Sequence, residues 1–240
     1  KIADFDTIEI SNLNRIQAGL MDIGLNKSHV AARRVWELDP FVKLDIWDAG
    51  INENTLEDFV LGKEKLDIFI DEMDNIKLKI LARRICKKNK IPVLMATDNG
   101  DGVILDIERF DLEPNRKIFH GIIEKNLDEI KMDKMERGEW IKMATQIINP
   151  AYMTERLQKS LLLIGKSLGG PAQLGSAALT AGGAISFIVR QIVNRQSILS
   201  GKYSISFDEK LISGYNNKDS KNQRKIATRE FIRKIFYEKN

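Results

Sequence analysis

Cysteine and histidine are scarce in this sequence. Its 240 residues contain one cysteine, Cys86, and two histidines, His29 and His120. A single cysteine excludes an internal disulfide framework and a zinc site built from several cysteines, so we expect no zinc. Low cysteine usage fits a reducing compartment, and we expect a cytoplasmic protein. Cys86 lies among apolar positions of a predicted helix and is interpreted as a packing residue. The histidines are interpreted as loop and helix-surface residues.

The sequence also lacks a hydrophobic run long enough to cross a membrane. Its most membrane-like stretch, residues 173–189, contains no charged residue but falls short of the roughly 20 residues that a spanning helix needs. The stretch is rich in small residues, which favours a buried helix packed against a sheet over a membrane segment. We therefore expect no membrane partner.

Charge of one sign is not in large excess. Thirty-eight basic residues face 34 acidic ones, for a net charge of +4. Nucleic-acid-binding proteins usually gather basic residues on one element, so this overall balance predicts no nucleic-acid partner. An anionic ligand remains compatible with it.

Short β-rich runs alternate with helical patterns through the first half of the chain. This alternation predicts an α/β fold, Rossmann-like, with a largely parallel sheet flanked by helices. Predicted strands end near residue 5 and cover 42–47, 66–70, 92–96, 103–110 and 203–207, and predicted helices cover 26–38, 75–90 and 173–195.

Four segments follow from these patterns. Residues 1–114 are predicted to form an α/β part, which 169–212 complete; the side chains described next predict that this part binds a nucleotide. Residues 115–168, charged and rich in methionine, predict a helical insertion. Residues 213–240 predict a basic C-terminal helical tail, because apolar positions recur at helical spacing.

Residues 4–15 (DFDTIEISNLNR) contain the first candidate ligand-binding side chains. An acidic residue at the end of a second strand is where doubly wound folds bind ribose hydroxyls, and Asp4 has that place. Asp4 alone is equally compatible with a turn or with a nicotinamide-dependent oxidoreductase. Ser11, Asn12 and Arg15 add two short polar groups and a forked cation suited to phosphate oxygens.

Two later positions extend this set. Lys27 stands at the predicted start of a helix, behind Gly24, where the helix N-terminus also attracts anions. A surface lysine is the alternative interpretation. Asp74 and Asn75 follow the apolar strand of residues 66–70, and a single hard carboxylate there suits Mg²⁺. Asp74 could instead simply cap the following helix.

Together these patterns resemble the ThiF/MoeB/ubiquitin-activating-enzyme superfamily, most specifically over residues 1–110. The resemblance implies ribose binding by Asp4 and nucleotide contacts from Ser11, Asn12, Arg15, Lys27 and Asn75. It also implies catalytic roles for Arg15, Lys27 and Asp74, with Asp74 on Mg²⁺. Residues 102–121 are similar, more narrowly, to ThiF-type domains found alone or joined to nitroreductase-like domains.

The resemblance implies an enzyme that adenylylates a carboxylate with ATP and Mg²⁺, giving an acyl-adenylate and pyrophosphate. The carboxylate would belong to a protein or peptide C-terminus, such as that of a small ubiquitin-like or sulfur-carrier protein. The resemblance also implies a homodimer. Without further cysteines, this chain has no counterpart to the thioester-forming cysteine of ubiquitin-activating enzymes or to the paired Cys-x-x-Cys zinc motifs of many bacterial relatives.

One family feature is missing from these residues. The glycine-rich first turn and an upstream arginine are absent, and Lys1 stands where the second strand should be ending. We therefore expect either that the sequence is truncated at its N-terminus or that the site is incomplete, in which case residues 1–240 alone would be inactive. The alternative function is a non-catalytic ThiF-like subunit that serves as a dimerisation or partner-binding scaffold.

Overall fold

The computed structural model describes residues 1–123 and 137–238. The chain divides into two compact units, residues 1–66 and 67–240. This division does not test the four segments predicted from the sequence. Residues 124–136, part of the predicted helical insertion, lie outside the described residues.

The first unit contains two short parallel strands and two helices. Strand β1 (Ile2–Ala3) pairs with β2 (Ile46–Trp47), helix α1 spans Lys27–Leu38, and helix α2 spans Leu56–Leu61. Helix α1 agrees with its predicted bounds and ends before Asp39, which precedes a proline and has an extended conformation. Strand β2 is shorter than predicted, and α2 was not predicted.

A four-stranded sheet organises the second unit. Strand β3 (Phe69–Ile70) pairs in parallel with β4 (Val93–Asn99), which forms an antiparallel hairpin with β5 (Gly102–Glu108). Strand β6 (Gly201–Ile205) then pairs with β5 in the antiparallel sense. The predicted α/β architecture is confirmed. The predicted parallel pairing holds for β1–β2 and β3–β4 but not for β4–β5–β6, because the tight turn after β4 reverses the chain.

The two faces of this sheet have different chemistry. Helix α6 (Gly175–Val193) packs on one face and buries an apolar cluster. On the other face lie helix α3 (Ile76–Lys88) and helix α4 (Arg137–Ile148), with Met95 in their apolar cluster. This second face also has the acidic side chains of Asp106 and Glu108, which are almost fully buried.

Helix α6 is only partly the buried helix that its composition predicts. Ala177, Ile185 and Ile188 are buried, whereas Leu179 and Phe187 are 62% and 48% exposed. By length and composition alone it could cross a membrane, and only 17% of its most apolar window is buried. Its buried face packs on the sheet, as predicted.

Helices α5 (Glu155–Leu163), α7 (Phe207–Leu211) and α8 (Lys218–Phe236) complete the described chain. Phe231 and Ile235 of α8 join a buried cluster with α5. The C-terminal helix is therefore confirmed, and it is packed on one side rather than solvated all round.

Candidate functional site

Asp6 joins two of the predicted site residues in the first unit. Asp4, directly after β1, accepts a hydrogen bond from the Asp6 amide at 2.9 Å. Lys27, the first residue of α1, donates from Nζ to Asp6 Oδ2 at 2.7 Å, and its amide donates to the Asp6 carbonyl at 2.9 Å. The Lys27 side chain is 21% exposed. Asp4 and Lys27 thus both contact Asp6, Asp4 through the Asp6 amide and Lys27 through the Asp6 carboxylate and carbonyl.

The loop that contains Ser11, Asn12 and Arg15 is closed at its base. Ile8 donates to the Leu25 carbonyl at 2.8 Å, and Gly24 donates to the Ile8 carbonyl at 2.8 Å. Gly24 has a φ of +85°, a conformation that a residue with a side chain rarely adopts. These bonds return the chain from the loop to the start of α1.

Within this loop, the three predicted residues have local contacts. Asn12 is 6% exposed, and its Oδ1 accepts from the Glu9 amide at 3.0 Å, so it stabilises the loop from within. The Ser11 hydroxyl donates to Glu9 Oε2 at 3.3 Å. Arg15 Nη1 donates to the Ser11 carbonyl at 2.9 Å and to Asn14 Oδ1 at 3.0 Å. Their contacts with a nucleotide stay a prediction.

Asn26, where the sequence predicts a helix start, also connects that helix to two strand ends. Its Oδ1 accepts from the Ser28 amide at 2.9 Å, which caps α1. Its Nδ2 donates to the carbonyls of Asp4 at 3.0 Å and Asp48 at 3.1 Å. One amide therefore ties the ends of both strands to the helix that begins with Lys27. An asparagine before a helical pattern is the signal for the cap, but not for the other two bonds.

In the second unit, Asn75 rather than Asp74 caps helix α3. Asn75 has an extended conformation, and its Oδ1 accepts from the Leu78 amide at 3.1 Å. Asp74 lies one residue earlier and is exposed. The alternative interpretation of Asp74 as the cap is therefore wrong, because the helix begins one residue later than that role requires. The carboxylate of Asp74 does not serve as the helix cap.

Glu72 lies where β3 leaves the sheet. Its Oε1 accepts from the Ala96 amide at 3.0 Å, a donor on β4 that the diverging β3 backbone no longer pairs. Much of the residue is exposed. Its carboxyl group, however, is desolvated by the protein around it. This desolvation raises the pKa of Glu72 to about 7, against the lowering effect of the Ala96 hydrogen bond and the nearby Lys79 charge.

Arg83 is the centre of a buried ionic network beneath this strand end. It is fully buried and donates at 2.5 Å to both Asp71 Oδ2 and Glu108 Oε2. Lys79 Nζ donates to the other oxygen of Asp71 at 3.1 Å. Burial alone would raise the pKa of Asp71, but the charges of Arg83 and Lys79 outweigh it and lower that pKa. The guanidinium also lies 4.0 Å from the Phe119 ring centroid.

His120 belongs to a second polar cluster next to this network. Arg116 donates to its Nδ1 at 2.9–3.0 Å, so Nδ1 is an acceptor and Nε2 donates to Asp106 Oδ1 at 2.6 Å. Lys202 is ion-paired to the other oxygen of Asp106. Burial opposes the charge of Asp106, but the His120 hydrogen bond and Lys202 lower its pKa overall. His120 is therefore a structural residue of a loop, as predicted, although a largely buried one.

The remaining singled-out residues have the roles expected for them. Cys86 is fully buried, and this burial raises the pKa of its thiol to about 12, which makes it a poor nucleophile. His29 is exposed on α1 and contacts Asp48 at 3.0 Å.

Asp74 fits Mg²⁺ only as a single ligand. Among the described residues, no group of three or more histidine, cysteine, aspartate or glutamate side chains is arranged to hold a metal ion. Mg²⁺ commonly takes one or two carboxylates and completes its shell with water and substrate phosphates. The exposed carboxylate of Asp74 lies beyond the end of β3, and ligands of α/β sheets bind beyond the carboxyl ends of strands. Asp74 is therefore suited to be one ligand of Mg²⁺.

Three curated relatives cover most of this chain. It is 34% identical over 205 residues to the uncharacterized protein MT1398 of Mycobacterium tuberculosis, with 85% of this chain and 28% of the relative covered. It is 28% identical over 204 residues to a probable molybdopterin-synthase adenylyltransferase of Porphyra purpurea, covering 83% and 50%. It is 25% identical over 203 residues to a tRNA threonylcarbamoyladenosine dehydratase of Haemophilus influenzae, covering 82% and 77%. The chain thus spans half or less of the first two relatives.

Solved structures share its fold at low sequence identity. PaaA matches with a TM-score of 0.53 at 18% identity, covering 85% of this chain and 60% of PaaA. Escherichia coli MccB matches with a TM-score of 0.54 at 16% identity, covering 85% and 51%. The complex of MccB with ATP matches with a TM-score of 0.50 at 17% identity, covering 85% and 54%.

The model of the ThiF family matches residues 1–176, which include every predicted site residue. That match covers both strand ends described above and the helices that follow them. The chain belongs to the ThiF family.

Proposed function

We propose that this chain is part of an enzyme that uses ATP and Mg²⁺ to adenylylate a carboxylate. The carboxylate attacks the α-phosphate, its oxygen–phosphorus bond forms, and the bond to pyrophosphate breaks. Family membership supports this reaction class, as do the name of the Porphyra purpurea relative and the MccB complex with ATP.

The residues of the first unit would bind and orient the nucleotide. Asp4 would hydrogen-bond the ribose, while Ser11, Asn12 and Arg15 would contact the nucleotide, with Arg15 on the phosphates. Lys27 would stabilise the α-phosphate, and its charge would be shared between that phosphate and Asp6, 2.7 Å away. Both reactants are anions, so alignment and charge neutralisation are the main work of the protein.

Asp74 is the residue on which the catalytic proposal depends. It lies beyond the end of β3, is exposed, and leaves the capping of α3 to Asn75. Bound there, Mg²⁺ would offset charge on the departing pyrophosphate. Asn75 is predicted to contact the nucleotide as well, in addition to its bond to the Leu78 amide.

The proposed carboxylate donor is the C-terminus of a protein or peptide, of the ubiquitin-like or sulfur-carrier kind. Support comes from the molybdopterin-synthase adenylyltransferase and from MccB, which has been solved in complex with N-formylated MccA. We also propose a cytoplasmic homodimer. The exposed face of α6 supports the dimer, because Leu179, Phe187 and Val193 are all about half or more exposed there.

Calorimetric titration of the full-length protein tests the nucleotide. We expect ATP with Mg²⁺ to bind at least about tenfold more tightly than NAD, a difference of about 1.4 kcal/mol. Chelating the metal should weaken ATP binding. Residues 1–240 contain no glycine-rich phosphate turn, so we expect that by themselves they bind ATP weakly.

The competing functions give different results. NAD binding as tight as ATP binding would indicate an oxidoreductase. An absence of nucleotide binding by the full-length protein would indicate the non-catalytic scaffold. Tight ATP binding that is indifferent to Mg²⁺ would contradict the role given to Asp74.

A further inference from the structure

Four exposed basic residues form a single ridge on helix α8. Lys221, Lys225, Arg229 and Arg233 recur every four residues, and all four are exposed. Residues four apart on a helix lie on one face, about 6 Å apart along the axis. We call this set the basic ridge. Arg233 also pairs with Glu238 at 3.3 Å but remains 66% exposed.

The C-terminal half of the basic ridge lies opposite the residues that anchor α8. Phe231 and Ile235 each follow a member of the ridge by two residues, and two helical residues turn the chain by about 200°. Phe231 is 2% exposed and Ile235 is 6% exposed against α5. Gln158 of α5 also donates to the Thr228 hydroxyl at 2.9 Å. The fold therefore presents the ridge to solvent on a fixed helix.

The C-terminal segment accounts for the whole positive excess of the chain. Residues 218–240 hold eight of the 38 basic residues but only three of the 34 acidic ones, so the rest of the chain is close to neutral. An even spread of surface charge would not produce this pattern. The segment thus gathers basic residues on one element, as nucleic-acid-binding proteins usually do. The overall charge balance of the sequence does not reveal this clustering.

We propose that the basic ridge binds the phosphodiester backbone of a nucleic acid. A row of cations about 6 Å apart along the helix axis, winding by about 40° at each step, can follow a chain of regularly spaced phosphates, each offering oxygens to lysine and arginine donors. This proposal revises the expectation of no nucleic-acid partner. It is independent of the adenylylation chemistry, which uses other residues.

The composition of the ridge favours nucleic acid over an acidic protein. Cores of protein–protein interfaces are depleted in lysine and usually contain aromatic or aliphatic anchors. The basic ridge has two lysines and two arginines, and Ile226, 47% exposed, is the one large apolar side chain that helix α8 exposes among its described residues. Contact with such a surface would be largely electrostatic, which is characteristic of backbone binding without sequence recognition.

The test measures binding of the full-length protein to labelled single-stranded RNA and DNA of mixed sequence, across a series of salt concentrations. Four backbone contacts predict a slope of log K against log salt of about −3. Replacing Lys221, Lys225, Arg229 and Arg233 together by glutamine should remove most of that slope and weaken binding at low salt by about 100-fold or more. A matched control replaces four exposed lysines elsewhere by glutamine: Lys43, Lys63, Lys88 and Lys210.

The arms separate the possible outcomes. If the ridge variant loses affinity equally for RNA and DNA, the result supports binding to the backbone. If it loses affinity for only one of them, the result supports binding by the same ridge with a preference for that sugar. The proposal is wrong if the control variant loses as much as the ridge variant, or if neither nucleic acid binds. If poly-glutamate binds as tightly as the nucleic acids, and the same substitutions abolish its binding, the ridge binds an acidic protein instead. The single change Lys225→Gln, which should lower the slope by about 0.7, provides a milder variant should the fourfold change lower the melting temperature.

Discussion

At the scale of single residues, Asp74 and Asn75 are neighbours in the sequence but have different roles. Asp74 and Asn75 are both good helix caps by type, and the sequence alone leaves either in that role. The backbone decides, because α3 begins at Ile76 and the asparagine alone stands at the cap position. For Asn26 as well, the sequence predicts only part of the role. Its position as a helix cap could be predicted, but its hydrogen bonds to two strand ends could not.

Glu72 gives a prediction about pH. Because burial raises its pKa from 4.5 to about 7, the folded state favours the protonated form. Its contribution to stability is therefore fully present below about pH 4.5 and is lost as the pH rises toward 7. Glu72→Gln keeps an acceptor for the Ala96 amide and removes the titration.

The measurement is urea unfolding of wild type and Glu72→Gln at pH 5, 6 and 7. The variant should gain stability relative to wild type at each step up in pH. A variant whose stability relative to wild type stays constant, or falls as the pH rises, would show that the carboxyl of Glu72 is not held in a desolvated place.

At the scale of elements, helix α6 gives the clearest prediction. Its exposed face combines Leu179 and Phe187 with Gly182 and Gly183, whose open surroundings would let another backbone approach closely. If this face forms the proposed dimer interface, Leu179→Asp with Phe187→Asp should weaken dimerisation by at least about tenfold, since charge is disfavoured at the centre of an interface.

Light scattering over a range of concentrations follows the dimer in both variants. Leu38→Asp serves as the control, because Leu38 is 90% exposed on a different helix. A wild type that is monomeric at every concentration would refute the dimer. A double variant that dimerises like wild type would place the interface elsewhere.

Most elements could be predicted because their periodicities were clean. Helices α1, α3, α6 and α8 and strands β3 to β6 all lie where apolar spacing and turn residues indicated. The short helices α2 and α7 were missed because five or six residues contain too few repeats to define a period. The antiparallel hairpin was predictable only as a turn, since its effect on sheet direction depends on pairing.

At the scale of the whole molecule, charge and burial are unevenly distributed. The second unit buries acidic side chains on the β5 face, Asp106 and Glu108 with their cationic partners, while α8 exposes the basic ridge. Alternation of acidic and apolar residues in β5 was visible in the sequence. Their burial was not, because it depends on Arg83 and Lys202, which are distant along the chain.

The proposed activity depends on family membership and on one exposed carboxylate. Asp74→Asn removes the charge that would hold Mg²⁺, and it should leave stability nearly unchanged because Asn75 provides the cap. Asp67→Asn is the matched control, since Asp67 is exposed just before β3, at the opposite end of the same strand.

The most direct measurement is carboxylate-dependent ATP–pyrophosphate exchange by the full-length protein and both variants, with candidate C-terminal peptides as donors. We expect wild type and Asp67→Asn to exchange alike, and Asp74→Asn to lose at least about two orders of magnitude while melting within a few degrees of wild type. Exchange by Asp74→Asn at the rate of wild type would contradict the account.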